Sequence, residues 1–508
     1  MPTDRLWGWI VAVGLALIAF GIRFVNLAVP NKLVFDETYY PKDAWSMLRY
    51  GYETQWPDGD VVNPKIAAGD VDLYLQAASF AVHPPLGKWL IALGELTFGM
   101  NSFGWRFPSL VFGSLMVLVL VRLVRRVSRS TLIGGLAGLL LTLDGLHFVM
   151  SRTGLLDIFL AFFLIAAVAC LAADRDWFRH RLARHLQVNR LADLGGGFGP
   201  LVWFRPWRLA AGVLFGLACG VKWNALYLLA AFALLSLAWD IGARRLAGAG
   251  RRSTAGLLLD GVPAFVSLVV VGALTYLATW TGWLATTGGY FRTWHEEHPD
   301  AMSVRLLGGP LASLWQLHKE IYGFHSGEFI NNAEHPYDAK PLGWLVVARP
   351  IGIDAVNDIP PGTQGCPPGG DNCLQVVSGM GTPMLWWAAL IAIVFAAFFW
   401  IGFRDWRFAI PVVGLLSAWL PWFFVGDRPQ FFFYAITIIP FTVMALALCL
   451  GKVLGPAVPG ERRLIGAVAV GGVVALIGAN FAFIYPILTD RVITYQQWLA
   501  RMWFKSWI

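Results

Sequence analysis

What most limits the folds open to this chain is a recurrence. Apolar runs of roughly 20 residues follow one another almost to the C-terminus, separated by short arginine-rich connections or by longer polar segments. A run of that length makes a helix of about 30 Å, the thickness of a bilayer's hydrocarbon core. Such runs occupy 7–29, 105–124, 131–150, 153–172, 208–222, 223–239, 261–280, 384–403, 409–425, 431–450 and 464–486. Only 14% of the 508 residues are charged, against about 25% in an ordinary soluble protein. The 25 tryptophans suit a protein with two interfacial aromatic belts. The run after Arg5 lacks a small-residue cleavage site and is too long for a signal-peptide core, so it reads as a span. The pattern predicts an all-α polytopic membrane protein.

The arginines orient it. RLVRRVSRS (122–130), DRDWFRHRLARHLQVNR (174–190), GARRLAGAGRR (242–252), FRDWR (403–407) and GERR (460–463) are strongly basic. Short basic connections stay on the cytoplasmic side. Lys222 interrupts the stretch 208–239, which can be read as one span or two. Two give eleven spans and bring all five basic connections inside; one would put the last two outside. Eleven is therefore the expectation. The net charge of +8 resides in these connections, and no nucleic-acid partner is expected.

This topology puts 30–104, 281–383 and the tail from about 487 outside. It suggests three parts: an N-terminal transmembrane module (1–280) carrying the first exterior loop, an exterior cap (281–383), and a C-terminal transmembrane region with its tail (384–508). Cys366 and Cys373 bracket a Pro/Gly/Asp/Asn turn; they are either a disulfide, which needs an oxidising exterior, or two free loop thiols. Cys170, Cys219 and Cys449 read as small apolar fillers within spans. In the first loop, 41–53 and 86–100 have helical apolar spacing and read as helices lying along the interface, with a turn-rich, irregular stretch between them.

Candidate chemistry gathers at the exterior boundary. Asp36 and Glu37 follow the first span directly, and carboxylates at that depth are costly unless used. They either cap the helix that begins near Pro41 or act on a substrate. Arg23, inside the first span, requires a carboxylate or anionic ligand. His83 and two prolines lead stiffly into the next helix, where Lys88 opposes the helix dipole. Lys88 either snorkels to the headgroups or meets an anion such as phosphate. Arg106, Asp144, His147, Arg152 with Asp157 as a possible pair, and the Lys222–Trp223–Asn224 interruption lie at the same level. Segment 325–351 adds His325, His335 and Tyr337 in a sequence suited to an external cap holding an acceptor. Asp58–Gly59–Asp60 and Asp70–Val71–Asp72 invite a metal-dependent sugar-nucleotide reading, but isolated pairs in turn-rich sequence are mostly solvated; no metal site or cofactor is expected.

In order along the chain, FDETYY (35–40), HPPLGKWLIALGE (83–95), WRFPS (105–109), the LDxLxFxxSRTGLLDIFLAFF pattern (143–163), GLACGVKWNALY (216–227) and HPYDAKPLGW (335–344) together resemble the protein O-mannosyltransferases, membrane glycosyltransferases of the GT-C fold. Actinobacterial members are the most similar, because 281–383 is too short for the β-trefoil (MIR) domain of eukaryotic ones. The resemblance implies transfer of mannose from polyprenyl-phosphate mannose to Ser or Thr hydroxyls of proteins being translocated. It implies Asp36 as catalytic base and functional importance for Glu37, Arg23 and Arg106. Physically, a carboxylate takes the proton from a weak nucleophile, while cations such as Lys88, Arg106 and Lys222 hold the leaving phosphate. A single displacement inverts the anomeric carbon; retention would need a second carboxylate as nucleophile, for which Glu37 is the candidate. The competing readings are a related polyprenyl-phosphate-sugar transferase acting on a lipid or cell-wall glycan, and a transporter, for which the expected inverted repeats are not evident.

Overall fold

The computed structural model describes residues 4–426 and 428–508. Among them, seven helical stretches are long and apolar enough to cross a membrane, and three shorter apolar helices, Thr131–Thr142, Pro206–Val221 and Ile439–Leu454, accompany them. Ala225–Thr279 forms a single 55-residue stretch that breaks at Gly248, whose φ of 96° is a conformation glycine adopts without strain. Beyond the break the chain packs back against Ala225–Arg244. Lys222 does separate two helices: its backbone is extended (φ −150°, ψ 143°) between Pro206–Val221 and Ala225–Arg244.

Helix Asp157–Val188 lies at the centre, with Ile158, Phe159, Leu160, Leu164, Ile165 and Val168 all buried. An element apolar all round belongs inside a bundle. In lipid, close packing rather than exclusion from water drives association, which favours small residues at helix contacts. Gly212 and Gly216 meet that need: a Cβ on either would collide with the backbone carbonyls of Ser267 and Gly272 on the neighbouring helix.

The two ends of the bundle differ in chemistry. At one, the basic connections converge: Arg125 pairs with Asp4 (2.9 Å), Arg126 with Asp176 (3.0 Å) and Lys452 with Asp405 (3.6 Å). Arg205 and Arg208 form a buried quartet with Asp174 and Asp240. At the other, the segments expected outside meet. His325 Nε2 lies 3.0 Å from the Val82 carbonyl, and Lys32 pairs with Asp354 at 2.8 Å.

The first exterior segment contains helices Tyr40–Tyr50, Gly59–Ala67 and Leu86–Phe98. The middle one corrects the expectation of irregular chain. The Asp58 carboxylate caps it by accepting from the Asp60 amide at 2.9 Å, and Val62 and Ile66 anchor it inward. The exterior cap adds a small three-stranded antiparallel sheet to the helical bundle. Strand β1 (Ile351–Ile359) pairs with β2 (Cys373–Gly379), and β2 with β3 (Ile493–Thr494) from the C-terminal tail. Cys366 and Cys373, with Cα atoms 5.7 Å apart, are disulfide-bonded at the end of this hairpin.

Candidate active site

The DET turn, Phe35–Thr38, is a single 3-10 turn, and it sends its two carboxylates to different surroundings. Glu37 is fully buried and saturated. Its Oε1 accepts from Arg106 Nε and the Gly154 amide, both at 2.8 Å. Its Oε2 accepts from Arg106 Nη2 at 2.8 Å and the Val34 amide at 3.1 Å. Arg106 spends its remaining donors on the carbonyls of Leu27, Pro30 and Lys32. This planar two-point pairing clamps a turn in which Phe35 adopts φ 47°, a left-handed conformation costing about 1–3 kcal/mol in a bulky residue.

Asp36, held by that clamp, is only half-buried. Among the described residues its side chain makes one hydrogen bond, a long one from Tyr40 Oη at 3.5 Å. Burial pushes its pKa up to about 6; Lys222 opposes the shift, Asp157 adds to it and the Tyr40 hydroxyl opposes it. At neutral pH the carboxylate is still mainly ionised and is more basic than a free aspartate, which suits proton abstraction.

Cations and aromatic rings surround it. Lys222 Nζ sits 2.8 and 3.0 Å from the Asp157 oxygens and 5.7 and 5.9 Å from the Tyr434 and Phe433 ring centroids. The Arg428 guanidinium acts on the Tyr434 hydroxyl, and its buried Nε has no hydrogen-bond partner among the described residues. His83 and His325 stack at 5.3 Å, with His83 6.3 Å from the Tyr40 ring. Burial, then the cations Lys222, Lys88 and Arg428 and the His325 ring, hold His83 well below the usual histidine range. Burial likewise lowers His325 to about 4. Both rings are therefore neutral at physiological pH.

Other residues singled out in the sequence have internal partners. Lys88 lies 2.9 Å from both Asp43 and Glu53, so the anion that its position in the helix demands is a carboxylate pair. Arg23 is buried, bonded to His147 Nδ1 at 2.9 Å and to the Ala19 and Thr142 carbonyls at 3.2 Å. Arg152 and Asp157 do not pair with each other. Arg152 donates to the Arg23, Val25 and Asn26 carbonyls at the end of the first helix, and Asp157 belongs to Lys222. Asp144 caps Gly145–Met150 and accepts from Trp386 Nε1 at 2.7 Å. Trp223 Nε1 donates to Tyr276 Oη at 3.0 Å, and its ring stacks on His318 at 5.5 Å. The His335 ring meets Phe431 edge-on at 4.8 Å, while Tyr337 lies 5.9 Å beyond. Phe431 in turn packs on Phe35 at 6.2 Å.

Sequence reading missed Arg428, Tyr434 and Tyr40. A signal for the first two was present: DRPQFFFY (427–434) puts an arginine and an aromatic run at the mouth of an apolar span. The segment 335–344 positions that mouth. Gln430 donates its amide to Asp338 (2.8 Å) and accepts from the Ala339 amide (2.6 Å).

The site thus joins one unsaturated carboxylate to two cations, two neutral histidines and a wall of aromatic rings. Comparison with known proteins bears on what it serves. Residues 13–184 match the family model described as dolichyl-phosphate-mannose-protein mannosyltransferase, and residues 310–507 match the C-terminal four-transmembrane region of protein O-mannosyltransferase. The whole chain is 39% identical to a polyprenol-phosphate-mannose–protein mannosyltransferase of Mycobacterium tuberculosis, covering 93% of that protein. It is 34% identical to the protein of the same name from Corynebacterium glutamicum, over 97% of this chain and 92% of the relative. The yeast (S. cerevisiae) protein O-mannosyltransferase complex Pmt1–Pmt2, solved with its sugar donor, has the same fold: TM-score 0.70 at 13% identity, over 100% of this chain and 93% of that one. The chain belongs to the dolichyl-phosphate-mannose-protein mannosyltransferase family.

Proposed function

We propose that the protein transfers mannose from polyprenyl-phosphate mannose to Ser or Thr hydroxyls of secreted or membrane proteins. The reaction takes place at the extracytoplasmic face of the plasma membrane and inverts the anomeric carbon. Eleven crossings, with the basic connections inside, underlie this orientation. The donor's lipid tail lies in the membrane, and its phosphate comes to rest at the mouth of the bundle.

The observation that carries the reading is the division of labour in the DET turn. Asp36 is the base: it accepts the proton of the acceptor hydroxyl as the oxygen attacks the anomeric carbon. The bond from that carbon to the phosphate oxygen breaks, and polyprenyl phosphate departs. The leaving group is already a weak base and needs no acid, only charge stabilisation, for which the candidates are Lys222, which acts on the Asp36 carboxylate, and Arg428, which acts on the neighbouring Tyr434 hydroxyl. Glu37 is unsuited to nucleophilic attack, since both its oxygens are engaged by four donors. That supports a single displacement over a covalent intermediate. Arg106, Lys88, Arg23 and Arg152 serve the frame: each fixes the loop or helix end that sets Asp36. Among the described residues the Nε of Arg23, like that of Arg428, has no hydrogen-bond partner, but Arg23 is fully buried within the first helix and bonded to His147. The scheme asks for no metal.

Purified protein is incubated with radiolabelled polyprenyl-phosphate mannose and a Ser/Thr/Pro-rich peptide. Label passes to the peptide with wild type and is lost with Asp36→Asn. Label appearing only in lipid would instead favour a transferase acting on a glycolipid.

A further inference from the structure

A concavity in the exterior cap is lined by none of the residues of the DET turn. It is an open groove of about 890 Å³. The β1–β2 hairpin forms its floor, and the C-terminal segment through Tyr495, Trp498 and Trp507 forms its wall. That wall is fastened down. Trp507 Nε1 donates to the Val347 carbonyl at 2.7 Å, Ser506 Oγ to the Ala348 carbonyl at 2.6 Å, and Arg349 Nη1 to the Ser506 carbonyl at 2.9 Å. The proposed transfer reaction uses none of these residues.

Three observations indicate what the groove holds. It is continuous with the catalytic turn, because Tyr337 lines it and the rings Tyr337, His335, Phe431 and Phe35 form an unbroken series of contacts ending beside Asp36. The Lys32–Asp354 ion pair (2.8 Å) ties β1 to the same turn. Next, β1 is the edge strand of its sheet, so its outer backbone groups are free to pair with an extended chain. Finally, besides Asp354, which Lys32 neutralises, the lining includes Asp358 and Asp371 and no lysine or arginine, which leaves a net negative field.

We propose that this groove is the docking site for the acceptor polypeptide, bound extended along the hairpin so that a hydroxyl a few residues away reaches Asp36. It discriminates against acidic flanking sequence. The proposal rests on the reading of the protein as a mannosyltransferase acting on protein hydroxyls. It gives this chain a built-in means of acceptor selection.

The test uses full-length enzyme, polyprenyl-phosphate mannose and three peptides with one central Thr: a short one, one extended by neutral residues, and one extended by glutamates. In wild type the neutral extension lowers KM about tenfold, the equivalent of about 1.4 kcal/mol, and the glutamate extension does not. The readout is the ratio of the short and long KM values within one preparation, which is independent of the fraction of enzyme folded. Ala355→Trp, at an exposed lining position, brings that ratio close to one. Asp371→Lys, at an exposed position on the rim, improves the glutamate-flanked peptide selectively. A wild-type ratio near one, or a ratio and charge preference unaltered in both variants, would overturn the proposal. Failure of wild type to mannosylate any of the peptides would instead refute the function on which it depends.

Discussion

Asp36→Asn should make the protein more stable while abolishing transfer, and the size of the gain follows from the site. Burial raises the Asp36 carboxyl from 3.8 to about 6 even after Lys222 and Tyr40 have opposed the shift. A carboxylate whose pKa rises on folding is harder to ionise in the native state. Its penalty is absent below the unfolded value, grows between 3.8 and about 6, and is complete above that. Each pK unit corresponds to about 1.4 kcal/mol, so the ceiling near neutral pH is roughly 3 kcal/mol. Asparagine keeps the shape and an acceptor for Tyr40 without the charge. A gain of about 1–3 kcal/mol is expected, seen as a rise of a few degrees in apparent melting temperature. Tryptophan fluorescence of detergent-solubilised protein, heated at about pH 7.5 and about pH 5, reads it directly. The increment should be large at the higher pH and shrink at the lower, where wild-type Asp36 takes up its proton. A destabilised variant, or an equal increment at both pH values, would show that folding does not penalise the Asp36 charge.

Glu37→Gln should behave in the opposite way, costing about 3–5 kcal/mol because it strands the buried Arg106 charge; a melting temperature unchanged from wild type would remove Glu37 from the frame. The pH profile of kcat/KM should fall as pH drops through about 6, the value at which Asp36 protonates. Lys222→Met should move that limb to higher pH, because Lys222 holds the Asp36 pKa down; an unmoved limb would assign it to another group. Arg428→Gln should lower kcat/KM about 10–100-fold, the equivalent of one charge-assisted hydrogen bond worth roughly 1.5–3 kcal/mol. Steady-state kinetics with a fixed peptide checks this, and near-wild-type values would exclude Arg428 from the phosphate site.

The helical, many-span character was readable from sequence because its determinants are long and local. A run such as 464–486 needs no partner to be recognised, and the observed helix Glu461–Leu488 contains it. The DET turn was conspicuous for the same reason, a charged pair against an apolar run. What could not be read was partnership across the chain. Lys88 announced an anion, and only the fold shows that Asp43 and Glu53 supply it. Arg106 looked available for phosphate, yet it is committed to Glu37, which lies 69 residues earlier. Arg428 was passed over because its significance depends on the distant segment 335–344 that holds its loop. The β hairpin was more accessible: IGIDAVNDI and CLQVVSG are rich in β-branched residues around a cysteine-bracketed turn, but the surrounding polar turns concealed them.

The most direct measurement is the position of the donor phosphate in a structure with polyprenyl-phosphate mannose bound. The phosphate should lie between Lys222 Nζ and the Arg428 guanidinium. The anomeric carbon should face Asp36, leaving room for a hydroxyl about 3 Å from the carboxylate. A phosphate seated on Arg106 or Lys88, or a sugar turned away from Asp36, would contradict it.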